Sequence, residues 1–353
     1  MPNNNTTGFV KTYKNMKGYA KPLNEFIEGH KIQFIIPVYQ RNYDWLIENC
    51  DQLFSDLVKL SRSSRHSHFF GSIVTASADS SYNRLVIDGQ QRLTTISLLL
   101  LAGIQAVKDN SLEISDDSKI EEAYEVFLKA KFCNSERKIK LVPIENDRIA
   151  YDKIFCNEEP FEEGSKLTRN FKYFYDRLTR KPYSFTFDQL LEAIERLQII
   201  SIELDADDDA QLIFESLNST GLALTEADKI RNYLLMSLSQ NEQMDCFKNY
   251  WQKIESATDN QPTRFLRDYL TIKQQLQRPV RQSNIYCEWK KYMEGHDRKE
   301  ELSEMLDYAY YYQQATEARL STPTLSKKMR HICNIESDVA NVFFIQFLRY
   351  ASL

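Results

Sequence analysis

Residues 84–107 limit the folds available to this chain more than any other segment. A short run with strand character ends at Asp88-Gly89, and a strongly apolar stretch with helical character follows from about Arg92 to Val107. The order is therefore strand, tight polar turn, helix. A junction of this kind belongs to folds in which helices pack on a sheet, so it predicts that the N-terminal half contains both strands and helices.

The rest of the sequence extends this pattern and predicts two domains. At 353 residues the chain is longer than a single hydrophobic core usually supports. Strand-like runs at 68–76 and 197–204 add to the sheet, whereas almost everything from Ala210 onward has helical periodicity. We expect an α+β fold, in which a small mixed-sheet domain with many helices (residues 1–240) is followed by an all-helical domain (residues 241–353).

Composition points to a soluble cytoplasmic protein with no membrane partner. The net charge of −5 argues against a surface covered in positive potential for duplex DNA, although it leaves room for a local basic patch. The six cysteines are scattered without a CxxC pair, as is typical of reduced thiols in the cytosol. The N-terminus lacks the apolar segment of a signal peptide, and the most apolar stretch, Ile96–Val107, is about half as long as a bilayer span.

The motif VIDGQQRLTT, residues 86–95, predicts an anion site. The strand delivers Asp88 to its carboxyl end, and Gly89 allows a sharp turn and a close approach of another group. Free N–H groups and the positive end of the helix dipole then favour a phosphate, which the planar guanidinium of Arg92 suits. Asp88 could hold a divalent metal through water or orient an attacking water. The plainer alternative is a simple turn whose amides cap the helix. The other side chains that we expect at this site are Gln90, Gln91, Thr94 and Thr95.

A second motif, IPVYQRNYDW at residues 36–45, alternates aromatic residues with polar ones. Aromatic faces beside an amide and a guanidinium suit stacking on a base while hydrogen-bonding its edge or its phosphate. Tyr39, Gln40 and Arg41 are therefore predicted to contact a nucleotide. The alternative is that the aromatic residues belong to the core and that Arg41 pairs with a carboxylate. For Trp45 the core is the preferred interpretation.

A third motif, FESLNSTGLALTEADKIRN at residues 214–232, links two helices. Gly221 breaks the first helix, and Thr225 with Asp228 three residues later has the pattern of a helix N-cap. Capping explains Thr225 without any function. It does not explain Asn232, a polar residue inside an otherwise apolar run, so we predict that Asn218 and Asn232 reach into the site.

Together the three motifs resemble, in the same order, the landmarks of the DUF262 family, the N-terminal part of GmrSD-type modification-dependent restriction enzymes. The resemblance spans roughly residues 20–240. In this family DGQQR is similar to a motif of the ParB/sulfiredoxin-like fold, and it implies binding and hydrolysis of a nucleoside triphosphate with Mg²⁺ or another divalent cation. Residue by residue, it places the nucleotide at residues 88–92 with 39–41 as the neighbouring recognition motif. We assign Asp88, Gln91 and Arg92 as catalytic.

The resemblance also implies partners, and one departure from the family bears on them. Relatives usually continue into an HNH-type nuclease domain, but the five histidines here form no such constellation, so we do not expect this chain to cut DNA by that chemistry. We expect the native chain to continue, or a partner to supply the nuclease. Modified phage DNA is the expected target, and homo-oligomerisation is compatible with the sequence. Two alternatives stay open: a pocket that binds modified DNA or a nucleotide without hydrolysis, and a ParB-like nuclease.

Overall fold

The computed structural model describes most of the chain, and the first half of it builds a sheet with helices. The described residues are 18–29, 31–63, 66–78, 82–133, 138–180, 185–205, 208–217, 224–320, 322–333 and 338–352. The strands are β1 (Gly18–Pro22), β2 (Gln33–Ile35), β3 (His68–Ser77), β4 (Asn83–Asp88), β5 (Leu141–Val142) and β6 (Leu197–Leu204). The helices of this half are α1 (Leu23–Ile27), α2 (Ile47–Arg62), α3 (Gln90–Lys108), α4 (Ser118–Ala123), α5 (Glu145–Cys156), α6 (Lys166–Thr179) and α7 (Phe187–Glu195), with a π-helical turn at Tyr124–Leu128.

The strands form one mixed sheet in the order β1-β6-β3-β4-β2-β5. β6 pairs with β1 in antiparallel and with β3 in parallel orientation. β4 pairs with β3 in antiparallel and with β2 in parallel orientation, and β2 pairs in parallel with β5. The predicted mixed-sheet α+β fold is thereby confirmed. β1 was not predicted, because its sequence, GYAKP, has neither β-branched residues nor alternation, and it pairs with a strand far away in the chain.

Helix α3 is the centre of the core in this half. Its residues from Leu93 to Val107 are buried on almost every side, and α5, α6 and α7 pack around it. At Gly103 a Cβ atom would lie 3.0 Å from side-chain atoms of Phe187 and Leu190, so the glycine lets α7 approach closely. A helix that is apolar all round needs such complete coverage. This packing fixes the N-terminus of α3, and with it the end of β4.

The second half consists, within the described residues, of helices. They are α8 (Ala210–Leu217), α9 (Glu226–Leu235), α10 (Gln240–Cys246), α11 (Gln252–Ala257), α12 (Pro262–Lys273), α13 (Ile285–Tyr292), α14 (Arg298–Thr316), α15 (Pro323–Cys333) and α16 (Asp338–Ser352). A π-helical turn at Phe247–Trp251 joins α10 to α11. Aromatic residues build much of the core here, with Trp251, Trp289 and Tyr269 fully buried. The predicted helical C-terminal part is confirmed.

By their internal contacts, the residues form two compact units. Unit 1 comprises residues 1–37 and 42–210, and unit 2 comprises 38–41 and 211–353. The contact division therefore places α9 with the helices that follow it, whereas the sequence motifs that run through α9 led to a predicted boundary at 240. That domain division stays a prediction. In the described parts of the chain, no helix combines the length and apolarity that crossing a bilayer requires.

Candidate functional site

The junction between β4 and α3 has the geometry that its sequence predicts. Gly89 has φ +97°, in the left-handed region that L side chains rarely adopt, and α3 begins at the next residue. A Cβ atom at this position would lie 3.0 Å from Cγ1 and 3.3 Å from the backbone Cα of Ile73 on β3. Because glycine has no side chain, nothing at the N-cap position accepts the first N–H groups of α3. The helix start is therefore a place where backbone donors converge.

Arg92 is held in position by the backbone of β3. Its Nη1 donates to the Ser72 carbonyl at 3.0 Å and lies 3.9 Å from Oδ2 of Asp88. The parallel pairing of β3 and β6 shifts register between Phe69 and Gly71, and Gly71 has φ +121°. A Cβ atom at Gly71 would lie 2.6 Å from Nε of Arg92, so the guanidinium occupies the space that only a glycine leaves. The guanidinium is thus fixed in place before any ligand arrives.

The side-chain amide of Gln91 is occupied by the backbone of residues 42–45. Its Oε1 accepts from the N–H groups of Asp44 at 2.8 Å and Trp45 at 3.2 Å. Its Nε2 donates to the carbonyl of Asn42 at 3.2 Å. A residue of the DGQQR motif therefore fixes the end of the second motif. The catalytic assignment of Gln91 stays a prediction, and its observed contacts are those of a positioning residue.

The threonines of the first motif lie inside the protein. Thr94 and Thr95 are buried, and the Thr95 hydroxyl donates to the Gln91 carbonyl at 2.7 Å. The same hydroxyl is 2.7 Å from the Tyr43 hydroxyl, to which Nδ2 of Asn170 donates at 3.0 Å. Burial raises the pKa of Tyr43 well above its usual range, so this phenol stays neutral. We predicted both threonines as ligand contacts, and the structure gives Thr95 an internal partner on the second motif.

A carboxylate that sequence reasoning did not single out adjoins this segment. Oδ2 of Asp147, in the first turn of α5, accepts the backbone N–H of Tyr43 at 2.6 Å. Burial raises the pKa of Asp147 from 3.8 to about 6, and the hydrogen bond from Tyr43 lowers it only in part. Residues 42–44, the start of α5 and the start of α6 line an open cavity of about 530 Å³. No motif marks Asp147, since its neighbours come from distant parts of the chain.

The predicted recognition residues of the second motif belong to unit 2. Tyr39 is almost completely buried within the hydrophobic core of that unit, and Gln40 is buried as well. The Tyr39 carbonyl accepts from Nε of Arg231 at 2.8 Å, and the same guanidinium pairs with Glu255 at 2.8 Å. Arg231 is a buried arginine that sequence reasoning missed, although an arginine inside the apolar run of α9 is a readable signal. Contacts of Tyr39, Gln40 and Arg41 with a nucleotide stay a prediction.

The structure describes one of the two asparagines that were predicted as site residues in the third motif. Asn218 lies outside the described residues. Asn232, on α9, is buried, and its Oδ1 has no hydrogen-bond partner in the part of the chain that the structure describes. An orphaned buried amide oxygen costs free energy and is a feature of residues kept for reasons other than packing. The observation agrees with a site role for Asn232, which is still a prediction.

No cluster of three or more histidine, cysteine, aspartate or glutamate side chains that could hold a metal occurs among the described residues. Mg²⁺ that accompanies a nucleotide needs less, because it is commonly bound by one or two carboxylates together with substrate phosphates. Asp88 alone therefore fits a metal brought by a nucleotide, and it does not fit a metal held by the protein alone.

The described fold is thus a mixed α+β domain whose strand–glycine–helix junction places the start of α3, with a glycine as its N-cap, beside a fixed guanidinium. Residues 23–235 match the sequence profile of the GmrSD restriction endonuclease, N-terminal domain, and the match covers more than half of the chain. The chain therefore belongs to this family, and the resemblance seen in the three motifs is confirmed. Membership supports a role as a component of a restriction system. A search of the curated proteins finds no significant match.

Proposed function

We propose that this chain is the sensor module of a modification-dependent anti-phage restriction system and that it binds and hydrolyses a nucleoside triphosphate at the β4–α3 junction. In this proposal the phosphates lie at the start of α3. Modified phage DNA is the target, and an HNH-type nuclease domain, in the same chain or in a partner, does the cutting. The helices of unit 2 pass the state of the nucleotide to that nuclease.

The observation that carries the proposal is the fixed guanidinium beside a helix start whose N-cap residue is a glycine. Backbone N–H groups and the helix dipole attract an anion at the N-terminus of α3. Arg92 adds a planar donor set that matches phosphate oxygens, and one of its five N–H donors is used by Ser72. About a quarter of the Arg92 side chain is exposed, so a ligand can reach it. A donor that is already immobilised stabilises developing charge without reorganising during the reaction.

Asp88 is the residue that would hold Mg²⁺ or position the attacking water. Its side chain is 23% exposed and lies on the same side of the junction as Arg92, with 3.9 Å between Oδ2 and Nη1. A bound Mg²⁺ supplies charge neutralisation at the phosphates. In this arrangement Arg92 orients Asp88 in the protein alone and shares the phosphate with the cation once the nucleotide is bound.

The test is phosphate release from ATP, GTP, CTP and UTP with Mg²⁺, with and without modified DNA. We expect turnover in the wild type and a loss of about 100- to 1,000-fold in Arg92→Ala, the usual effect of removing one donor to a charged transition state. Asp88→Ala should lose activity as well. Lys108→Ala is the matched control, because Lys108 is an exposed cation at the other end of α3. Equal losses in Arg92→Ala and Lys108→Ala would contradict the proposed site.

One observation favours a second function, binding without hydrolysis. The amide of Gln91 is occupied by residues 42–45, and the hydroxyl of Thr95 is occupied by Tyr43 and by the backbone. Fewer side chains then remain to orient an attacking water. Equilibrium binding separates the two functions: nucleotide that is bound by the wild type, lost in Arg92→Ala and recovered unhydrolysed identifies a binding module. Metal-dependent nicking of plasmid that disappears in Asp88→Ala would instead indicate a nuclease.

A further inference from the structure

The cavity of about 530 Å³ in unit 1 has a size typical of small-molecule sites, which range from about 300 to 1,000 Å³. It lies beside the part of the second motif that Gln91 holds. One wall is formed by residues 42–44, and the others come from the first two turns of α5, from the first residue of α6 and from the segment before α6. Its lining residues are Asn42, Tyr43, Asp44, Asn146, Asp147, Ile149, Ala150, Glu162, Gly164, Ser165 and Lys166.

The charges on the cavity wall are mostly compensated, and Asp147 is the exception. Asp44 pairs with Lys166. Glu162 pairs with Lys153 at 2.6 Å. Among the described residues, no cation pairs with Asp147, whose one hydrogen bond is from the Tyr43 backbone. An ionised carboxylate only accepts hydrogen bonds, and it has lone pairs left on both oxygens. The wall therefore presents an acceptor to which N–H or O–H donors of a ligand can bind.

The remaining lining groups are mixed, with two apolar residues among polar ones. Ile149 lies on the wall with 63% of its surface exposed, and Ala150 is next to it. Asn42 and Asn146 bring amides, each of which offers both donors and acceptors. An aromatic base can lie against Ile149 and Ala150 while the polar groups around them bind its edge.

We propose that this cavity receives the base of the nucleotide whose phosphates lie at the start of α3, and that Asp147 selects guanine. Guanine carries two neighbouring donors, N1–H and the N2 amino group, which a carboxylate accepts together. Adenine and cytosine place an acceptor next to their amino group, and uracil flanks its single N–H with two carbonyls, so each brings an acceptor against the carboxylate. The assignment rests on the proposed function, since it extends the same bound nucleotide.

Residues 42–45 connect the proposed phosphate site to the proposed base site, because their backbone is hydrogen-bonded to both Gln91 and Asp147. Gln91, in the first turn of α3, bonds the backbone of Asn42, Asp44 and Trp45, and Asp147 bonds the backbone N–H of Tyr43 between them. The cavity wall is therefore fixed relative to the helix start that would hold the phosphates. Asp147 acts as a specificity-determining residue in this arrangement, and Gln91 acts as a positioning residue.

The experiment compares dissociation constants of GTP, ITP, ATP, CTP and UTP with Mg²⁺ for the wild type, Asp147→Asn and Glu145→Gln. ITP lacks the N2 amino group. Glu145→Gln removes one charge from the same turn of α5 at an exposed residue that does not line the cavity. We expect the wild type to prefer GTP, and we expect Asp147→Asn to weaken GTP binding by about 10- to 100-fold. Binding of ITP, which keeps only the N1–H donor, should weaken less, and binding of ATP, CTP and UTP should change little. Asparagine keeps an acceptor for the Tyr43 N–H, so this variant should fold.

The outcomes distinguish the two proposals. If the wild type binds none of the nucleotides, the proposed function fails, and the base pocket fails with it. If nucleotides bind and Arg92→Ala abolishes binding, but Asp147→Asn leaves the ratio of GTP to ATP affinity unchanged, the base pocket is overturned and the phosphate site stands. A preference for another base overturns the assignment of guanine. Equal effects of Asp147→Asn and Glu145→Gln would reduce the role of Asp147 to general charge, which also overturns it.

Discussion

Asp147 should make the protein less stable at neutral pH than an asparagine in its place would. Its carboxyl group is in a partly closed cavity, accepts one backbone N–H at 2.6 Å and has no cation partner among the described residues. Asparagine has nearly the same shape and can accept the same hydrogen bond. The substitution Asp147→Asn therefore removes the charge and leaves the contacts. We expect the variant to gain stability over the wild type as the pH rises from about 4 to about 6 and to keep that gain at higher pH.

The size and sign of this effect follow from proton linkage. The pKa of Asp147 is raised from 3.8 to about 6 by burial, and at about 1.4 kcal/mol per pH unit this corresponds to about 3 kcal/mol. Between these two pH values the folded protein keeps the proton and the unfolded chain releases it, so the wild type loses stability as the pH rises. The variant also loses a favourable interaction between the negative charge and the N-terminus of α5, which costs it about 0.3–1 kcal/mol of stability. The net gain expected for Asp147→Asn is about 2 kcal/mol above pH 6 and close to zero below pH 4.

The assay is urea denaturation of the full chain between about pH 4 and pH 8, with unfolding monitored by the fluorine NMR signals of incorporated fluorotryptophan. Of the three tryptophans, Trp45 belongs to unit 1, whereas Trp251 and Trp289 belong to unit 2. The Trp45 signal therefore reports the unit that contains Asp147. Glu145→Gln is the control, and it should show no pH-dependent gain. A stability difference that stays constant with pH, or a wild type that is more stable at pH 8, would refute the reasoning.

Three further substitutions test the contacts around the site. Gly71→Ala should destabilise unit 1 by about 3 kcal/mol, because the left-handed φ costs about 1–2 kcal/mol and the new Cβ displaces Arg92. In an Arg92→Ala background only the cost of the left-handed φ should remain, and a double-mutant cycle without coupling would contradict this. Gln91→Met leaves three backbone groups of residues 42–45 without their partner, so it should lower the free energy of unfolding by about 2–4 kcal/mol. Amide hydrogen exchange in residues 42–45, measured by mass spectrometry, should become faster, and unchanged protection would contradict the prediction. Arg231→Met should lower the stability of unit 2 in urea denaturation by about 3–5 kcal/mol, because it removes one partner of a buried ion pair. Lys229→Met, at a more exposed pair, should lower it by at most about 1 kcal/mol, and similar losses would show that burial is not the cause.

Local features of the fold were predictable from the sequence. The end of β4 at Asp88, the turn at Gly89 and the long helix after it were all predicted, because the information lies within about ten consecutive residues of the junction. The change from a mixed sheet to helices near residue 210 was predictable for the same reason, since periodicity is a local property. The family resemblance rests on these same local motifs, and the profile match over residues 23–235 confirms it.

Features that depend on distant pairs were not predictable. Gly71 is a lone glycine in a strand, which indicates a bulge or a close approach, but nothing in the sequence says that Arg92 is the group that approaches. Asp147 reaches Tyr43 across the fold, and its raised pKa arises from burial that no local pattern encodes. The destination of the Gln91 amide was equally hidden. A sequence shows which groups could bind a ligand, and tertiary packing decides which of them are already engaged.

The contacts on residues 42–45 bear on where function resides in unit 1. This short segment has no regular secondary structure, yet three of its N–H groups and one of its carbonyls are bonded to the side chains of Gln91 and Asp147. The hydrogen bond from the Tyr43 N–H to Asp147 stabilises the segment, but the carboxylate carries a charge that no cation pairs with in the described part of the chain. An asparagine would accept the same hydrogen bond without that cost. Packing alone would therefore favour asparagine at position 147. A carboxylate is the better residue only if something else compensates its charge, and the ligand with N–H donors that we propose for the adjoining cavity would do so. The stability experiment and the nucleotide-affinity experiment thus test two effects of the same carboxylate. It should lower the stability of the protein without nucleotide, and it should raise the selectivity for GTP when a nucleotide binds.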